Sequence, residues 1–232
     1  MLYFRGCIAK EKLTHISDAV ETILKKSNVN YKTYDDEKCC GSVLLRTGFY
    51  DDAKKQMQDN VTYLKDEEIL VSCAGCYKTL KQDYSEILNI SLNVIHTSQL
   101  FEKLIKENKI KLNKSDFKVT YHDSCHLGRH MGEYDSARNV ICESAKLVEM
   151  MNNHENSNCC GSGGGVKSAF PELSKNIANR RIKEAESTGA DMLITSCPFC
   201  KLNLEDSKTE NDKIDVLDLT EFIINHLKYS ED

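Results

Sequence analysis

Short apolar runs and longer amphipathic runs alternate along the whole chain. Residues 2–4, 29–34, 69–72 and 92–95 are strand-length stretches, and 118–122, 147–150, 192–196 and 214–217 repeat them further on. Between them lie helix-length segments at 13–26, 50–64, 98–107, 133–143, 172–188 and 220–228. In the 172–188 segment, Leu173, Ile177, Ala178, Ile182 and Ala185 recur at helical spacing, with Pro171 at its start and Gly189 past its end. Strand–helix alternation predicts an α/β fold, a mainly parallel sheet with flanking helices. Such sheets bind ligands beyond the carboxyl ends of their strands.

The cysteines show that the pattern is written twice. With Cys142 set aside, the first series is Cys7, then Cys39-Cys40-Gly41, then Cys73-Ala74-Gly75-Cys76. The second is Cys125, then Cys159-Cys160-Gly161, then Cys197-Pro198-Phe199-Cys200. The gaps are 31 and 32 residues in the first series and 33 and 36 in the second. Each Cys-x-x-Cys is followed by a short apolar run and a helix start, with Ser98 and Thr220 as the expected N-caps. The chain is therefore expected to hold two tandem repeats, 1–113 and 114–232, joined near the polar stretch 109–116. Cys7, Cys73, Cys125 and Cys197 each closely follow a predicted strand, so five thiols per half should converge on one sheet edge.

Composition narrows the chemistry. The 232 residues are 40% hydrophobic and 29% charged, with net charge −5, enough apolar material for a sizeable core without cross-links. The acidic balance and the lack of a long basic run argue against nucleic acid or an anionic membrane as partner. No apolar stretch approaches the roughly 18 residues that span a bilayer. The first residues carry no signal-peptide pattern, so a cytoplasmic location is expected. Thiols stay reduced there, and eleven cysteines then point to metal or redox chemistry rather than disulfides.

Three uses of five thiols compete. Structural zinc takes four ligands, and vicinal cysteines suit one small ion poorly. A redox-active Cys-x-x-Cys leaves three cysteines per half unexplained. Iron–sulfur clusters accept several thiolates, and the glycines at 41 and 161 can turn backbone N–H groups toward cluster sulfur. Cys142 has no counterpart in the first half and reads as a buried free cysteine within a helix. His122, His126 and His130 flank Cys125 at four-residue intervals, and His126 is the candidate proton donor. Arg5, Lys10, Arg46, Lys78, Arg129 and Lys167 lie near ligands. Arg129 and Lys167 are the preferred candidates for holding an anionic group, with surface charge as the competing reading.

The lone Cys, Cys-Cys-Gly and Cys-x-x-Cys order resembles the cysteine-rich CCG domain family over essentially the whole chain. The second half is most similar to the heterodisulfide reductase and thiol:fumarate reductase branch. Tyr121 to His130 and Cys159 to Phe170 carry that likeness. The resemblance implies two repeats related by a pseudo-twofold axis. It implies two [4Fe-4S] clusters of noncubane type, one held by Cys7, Cys39, Cys40, Cys73 and Cys76, the other by Cys125, Cys159, Cys160, Cys197 and Cys200. It also implies reduction of a small disulfide of the coenzyme M–coenzyme B kind, or oxidation of the thiols. Electrons are then expected from a separate ferredoxin-type or flavoprotein subunit. The alternative within the family is an electron-transfer subunit of a complex oxidising lactate, glycolate or glycerol 3-phosphate.

Overall fold

The structure, a computed structural model, describes residues 1–228. Strands β1 (Leu2–Phe4), β2 (Glu68–Val71) and β3 (Asn93–His96) form one parallel sheet in the order β1-β2-β3. Strands β4 (Lys118–His122), β5 (Lys146–Leu147), β6 (Met192–Thr195) and β7 (Asp215–Asp218) form a second, in the order β5-β4-β6-β7. Helices flank both sheets, as the alternating pattern predicts.

Two predicted strands shrink. Residues 29–34 make a single parallel bridge, Leu2 to Lys32, and the 147–150 run becomes the two-residue β5. Both lie outside the first strand of their half, at a sheet edge. None of residues 29–34 is fully buried, so little apolar burial rewards a longer ladder there. The correspondence is nonetheless informative. In each half the chain leaves the first strand, touches its outer flank, then returns to pair on its other side. Strand order therefore reverses between β1 and β2, and again between β4 and β6, and ligands bind at such reversals.

All of β1 is buried, its side chains alternating between the two faces as a covered sheet requires. Leu2 and Phe4 enter one apolar cluster and Tyr3 the other. Neither cluster respects the midpoint of the chain. One joins Val71 to Leu193 and Val216, and the other joins Leu70 to Tyr121 and Ile194. Helix Thr14–Lys26 packs on helix Leu219–His226, and helix Thr97–Lys106 on helix Asp135–Cys142. The two halves thus share their cores. No helix among the described residues is long and apolar enough to cross a membrane.

The helix starts correct one expectation. The N-caps after β3 and β7 are His96 and Asp218, two residues before Ser98 and Thr220. His96 accepts from the Ser98 N–H, while Gln99 Oε1 accepts from the His96 N–H at 3.1 Å. Asp218 and Glu221 make the same capping box. Ser98 and Thr220 instead place their hydroxyls against the caps, at 2.9 and 2.8 Å. The sequence signal was displaced because hydroxyl residues also follow the true caps.

His96 is fully buried, and burial pushes its pKa down to about 4. The native state therefore binds fewer protons than the unfolded chain. The stability this contributes is complete above about pH 6.5 and is lost as pH falls toward about 4. His122 titrates in the same window for the same reason. In the metal-free protein, His96→Asn keeps a capping side chain and is expected to remove about half of the acid-induced loss between those values. Urea midpoints measured across that range check this.

Candidate metal centre

The strand ends deliver the leading cysteines. Cys7 follows β1 through Gly6 at φ 76, and Cys73 and Cys197 cap helices Ala74–Lys78 and Pro198–Ser207. Those two short helices went unpredicted. The Cys-x-x-Cys spacing is what their first turn needs to set Cys76 and Cys200 beside the capping thiols. Each vicinal pair is followed by a left-handed glycine, Gly41 at φ 90 and Gly161 at φ 86. Gly161 N–H donates to Cys159 Sγ at 3.3 Å, and Gly41 N–H does the same to Cys39. Both glycine N–H groups thus bond the first thiol of their vicinal pair, while their reach to cluster sulfur stays an expectation.

Gly161 also admits no side chain. A Cβ there would sit 2.7 Å from the Ser174 carbonyl oxygen and 3.0 Å from Ile177 Cβ, whereas one on Gly163 would meet nothing within 4 Å. Gly161→Ala is expected to cost about 1–3 kcal/mol of stability, and Gly163→Ala little. The shift in urea midpoint checks both.

The thiols interact with their neighbours in a continuous series. Cys7 meets Cys39, Cys39 meets Cys40, Cys40 meets Cys76, and Cys76 meets Cys73. The second half runs Cys125, Cys159, Cys160, Cys200, Cys197 in the same sense. Cys73 and Cys197 then face each other closely enough to interact, and so join the two quintets. All ten cysteines line one cavity of about 440 Å³.

Crowded thiols cannot all ionise. Hydrogen bonds from Cys40 and Cys7 hold the Cys39 thiol down at about 3, and bonds from Cys125 and Cys160 hold Cys159 down at about 2. Cys7, Cys40, Cys125 and Cys160 are pushed above the usual thiol range, first by bonding to those thiolates and then by burial. Cys76 and Cys200 rise for the same reasons. Only a cationic occupant lets the rest ionise, because burying several thiolates together without one is prohibitive. Five soft donors in each half, with backbone N–H groups behind them, fit an iron–sulfur cluster.

The other candidates separate. His126 lines the cavity beside Cys125, and Arg46 and Lys167 line it too. Arg46, from the first half, donates through Nε to His126 Nε2 at 3.3 Å and pairs with Asp83 at 2.7 Å, which Lys78 also contacts. Lys167 pairs with Asp206 at 2.5 Å. Arg129 does not line the cavity. Its guanidinium donates to the carbonyls of Glu155 and Ser157 at 2.7–3.2 Å, so it braces that loop. Lys10 likewise donates to backbone, at Asp35 and Glu37. Cys142 lies on its predicted helix but is exposed rather than buried, at the end of helix Asp135–Cys142. His130 stacks beside His126 with ring centroids 5.1 Å apart.

Sequence reasoning missed two residues of the site and the partner of a third. Lys12 lines the cavity beside Arg5. Arg181 donates to His122 Nδ1 at 3.1 Å, and Arg46 reaches a histidine 80 residues away. Helical periodicity marks Arg181 as sharing a face with Ala178 and Ile182, but nothing local says what an arginine on that face would bond.

Comparison with known proteins agrees with this geometry. A cysteine-rich domain, CCG, matches residues 1–81 and 119–205. The chain is 41% identical over 220 residues to a dihydromethanophenazine:CoB–CoM heterodisulfide reductase subunit of Methanosarcina acetivorans, covering 90% of this chain and 54% of that one. It is 31% identical to a fumarate reductase (CoM/CoB) subunit of Methanothermobacter marburgensis, covering 99% and 46%. It is 26% identical to an anaerobic glycerol-3-phosphate dehydrogenase subunit of Escherichia coli, covering 88% and 54%. The chain thus spans about half the length of these relatives. Matched once in each half, over most of its length, the chain belongs to the CCG cysteine-rich domain family.

Proposed function

We propose that this chain is an iron–sulfur oxidoreductase subunit that reduces a small disulfide, or oxidises the two thiols, at a pair of noncubane [4Fe-4S] clusters. Repeat 1–113 supplies Cys7, Cys39, Cys40, Cys73 and Cys76 to one cluster. Repeat 114–232 supplies Cys125, Cys159, Cys160, Cys197 and Cys200 to the other. The observation that carries the reading is the joined run of ten thiols at one cavity, with Cys73 facing Cys197 where the quintets meet. A substrate with two equivalent reacting sulfurs suits two facing centres. The names of the heterodisulfide reductase and CoM/CoB fumarate reductase relatives support the same chemistry.

When bound, each cluster supplies one electron and a Lewis-acidic iron for a departing sulfur. Disulfide reduction consumes two electrons and two protons and yields two thiols. The chain's own residues serve binding and hydrogen-bond donation. Arg5, Lys12, Arg46 and Lys167 line the cavity, whose lining contains no carboxylate side chain among the described residues. Arg5, Arg46 and Lys167 are paired with Glu37, Asp83 and Asp206, so Lys12 is the lining cation whose charge favours an anionic substrate. Arg46 donates to His126 Nε2, so the ring proton sits on Nδ1, which lies 3.9 Å from the place of a Gly75 Cβ beside Cys73. His126 Nδ1–H can thus donate a hydrogen bond to a leaving thiolate where the quintets meet, while the two protons come from solvent. His126→Gln is expected to lower the disulfide-dependent oxidation rate roughly 100-fold while iron content stays constant. Stopped-flow absorbance of the reduced protein checks this.

Electrons reach the site from a partner subunit of ferredoxin or flavoprotein type. A second reading, an electron-transfer subunit of a hydroxy-acid or glycerol-3-phosphate oxidising complex, has the support of the Escherichia coli relative. Anaerobic reconstitution decides. Two clusters give about eight irons per chain, and fewer than about six removes the two-cluster proposal. A disulfide that oxidises the reduced, isolated chain supports the first reading. No oxidation without a partner favours the second.

A further inference from the structure

Among the buried positions at which the surroundings of the two quintets differ, one places a nitrogen-bearing ring beside only one of them. Three residues before the leading cysteine stands Phe4 in the first half and His122 in the second. Both end their strands, and both are 1% exposed. Phe4 has no polar atom in its side chain. His122 has two, and their partners differ.

Arg181 Nε donates to His122 Nδ1 at 3.1 Å. An arginine has only donors, so Nδ1 carries the lone pair and Nε2 the proton. Arg181 is held from three further sides. It bonds the Asn152 carbonyl and Glu184, each at 2.8 Å, and Ser157 Oγ at 3.0 Å. Its side chain is wholly buried. The ring of His122 is therefore fixed in one tautomer.

Nε2 of His122 has no hydrogen-bond partner among the described residues. A ring nitrogen of His122 lies with Cys160 Sγ and Cys200 Sγ in a group whose atoms are all within 4.8 Å of one another, and with Nδ1 engaged by Arg181 it is Nε2–H that is left to face a sulfur. A buried N–H left unpaired is costly, so an acceptor in this direction is what the geometry calls for. Direct ligation of a metal does not meet the need, because the Nε2 lone pair is tied up by the proton that Arg181 forces onto it.

Resting on the two-cluster reading, we infer that His122 Nε2–H donates a hydrogen bond to sulfur of the group held by the second quintet, and that this centre takes up an electron before the first. A donor aimed at cluster sulfur stabilises the negative charge that reduction adds, and so raises the potential. Phe4 offers the first quintet nothing comparable. Two centres with matching ligands thereby become unequal, and electrons fill them in a set order.

The test uses wild-type and His122→Phe protein, reconstituted anaerobically and titrated reductively with EPR detection. Both are expected to bind about eight irons. The wild type should show two one-electron midpoints. In the variant the higher midpoint should move to a more negative value while the lower stays in place. Unmoved midpoints overturn the inference, and so does loss of about four irons, which would make His122 a ligand. Should the variant fail to fold, pulsed EPR of ¹⁵N-histidine-labelled His126→Gln protein decides. A weak nitrogen coupling with an exchangeable proton is expected. A strong coupling, or none, overturns the donor role. Iron and cluster count in the wild type test the two-cluster reading separately. If only one centre forms, the nitrogen signal still accepts or rejects the donor.

Discussion

Cys200→Ser is expected to leave about four of about eight irons in the reconstituted protein. Cys200 is 4% exposed, and its thiol meets Cys160 and Cys197 and also approaches Ser124 Oγ at 3.6 Å. Every one of these neighbours belongs to the second half. Serine fits the space, but its hydroxyl stays protonated and is a hard, weak donor where iron prefers thiolate. The first quintet keeps all five thiols, so its cluster should survive and the loss should be by half rather than complete. Cys142→Ser serves as the contrast, because Cys142 is exposed and stands apart from the thiol series. Colorimetric iron analysis with Mössbauer spectra reads both. Full iron retention in Cys200→Ser sinks the ligand assignment, and a loss of iron in Cys142→Ser sinks the choice of ten.

Asp123→Ala is expected to destabilise the protein by about 3–5 kcal/mol, the largest effect of a change outside the thiols. Asp123 is 4% exposed and lies two residues before Cys125. Its oxygens accept from Arg138 at 2.7 and 2.9 Å and from the His154 N–H at 2.8 Å. Arg138 also grips Glu149 at 2.7 and 3.0 Å and caps the Tyr121 ring face at 5.1 Å. Removing the carboxylate leaves a buried guanidinium half paired and frees the loop that carries Cys125. Burial alone would raise the Asp123 pKa, but the Arg138 bonds and the His154 N–H outweigh it and hold the group low. A depressed pKa gives stability that is present above the ordinary carboxylate range. It is lost as pH falls through the lowered value. The wild type should therefore lose stability in acid more steeply than the variant. Urea unfolding of the metal-free proteins at neutral and acid pH measures both effects.

Much of this protein is legible from a single sequence, and the reason is that the arrangement of the thiols is written locally. A leading cysteine after a strand, a vicinal pair before a left-handed glycine and a Cys-x-x-Cys at a helix start are short motifs. Their geometry is fixed within a few residues. The strand runs at 2–4, 69–72 and 192–196 held for the same reason, since each is almost wholly buried and mainly apolar, and 118–122 held although Thr120 and His122 are polar, because both are buried. Residues 29–34 and 147–150 misled because edge strands and half-exposed loops share that composition. Arg129 looked well placed beside a ligand, yet chain proximity says nothing about direction, and its guanidinium turns to the Glu155 loop.

By itself, then, the sequence determined the α/β class, the doubling of the unit and the ten thiols, because each depends on periodicity and spacing along the chain. Only the tertiary structure decided that Cys73 meets Cys197, that Arg46 of one half holds His126 of the other, and that Arg181 locks His122. Those contacts depend on the order in which strands assemble and on how two sheets share their cores. Chain order does not encode the distance between segments that only packing brings together.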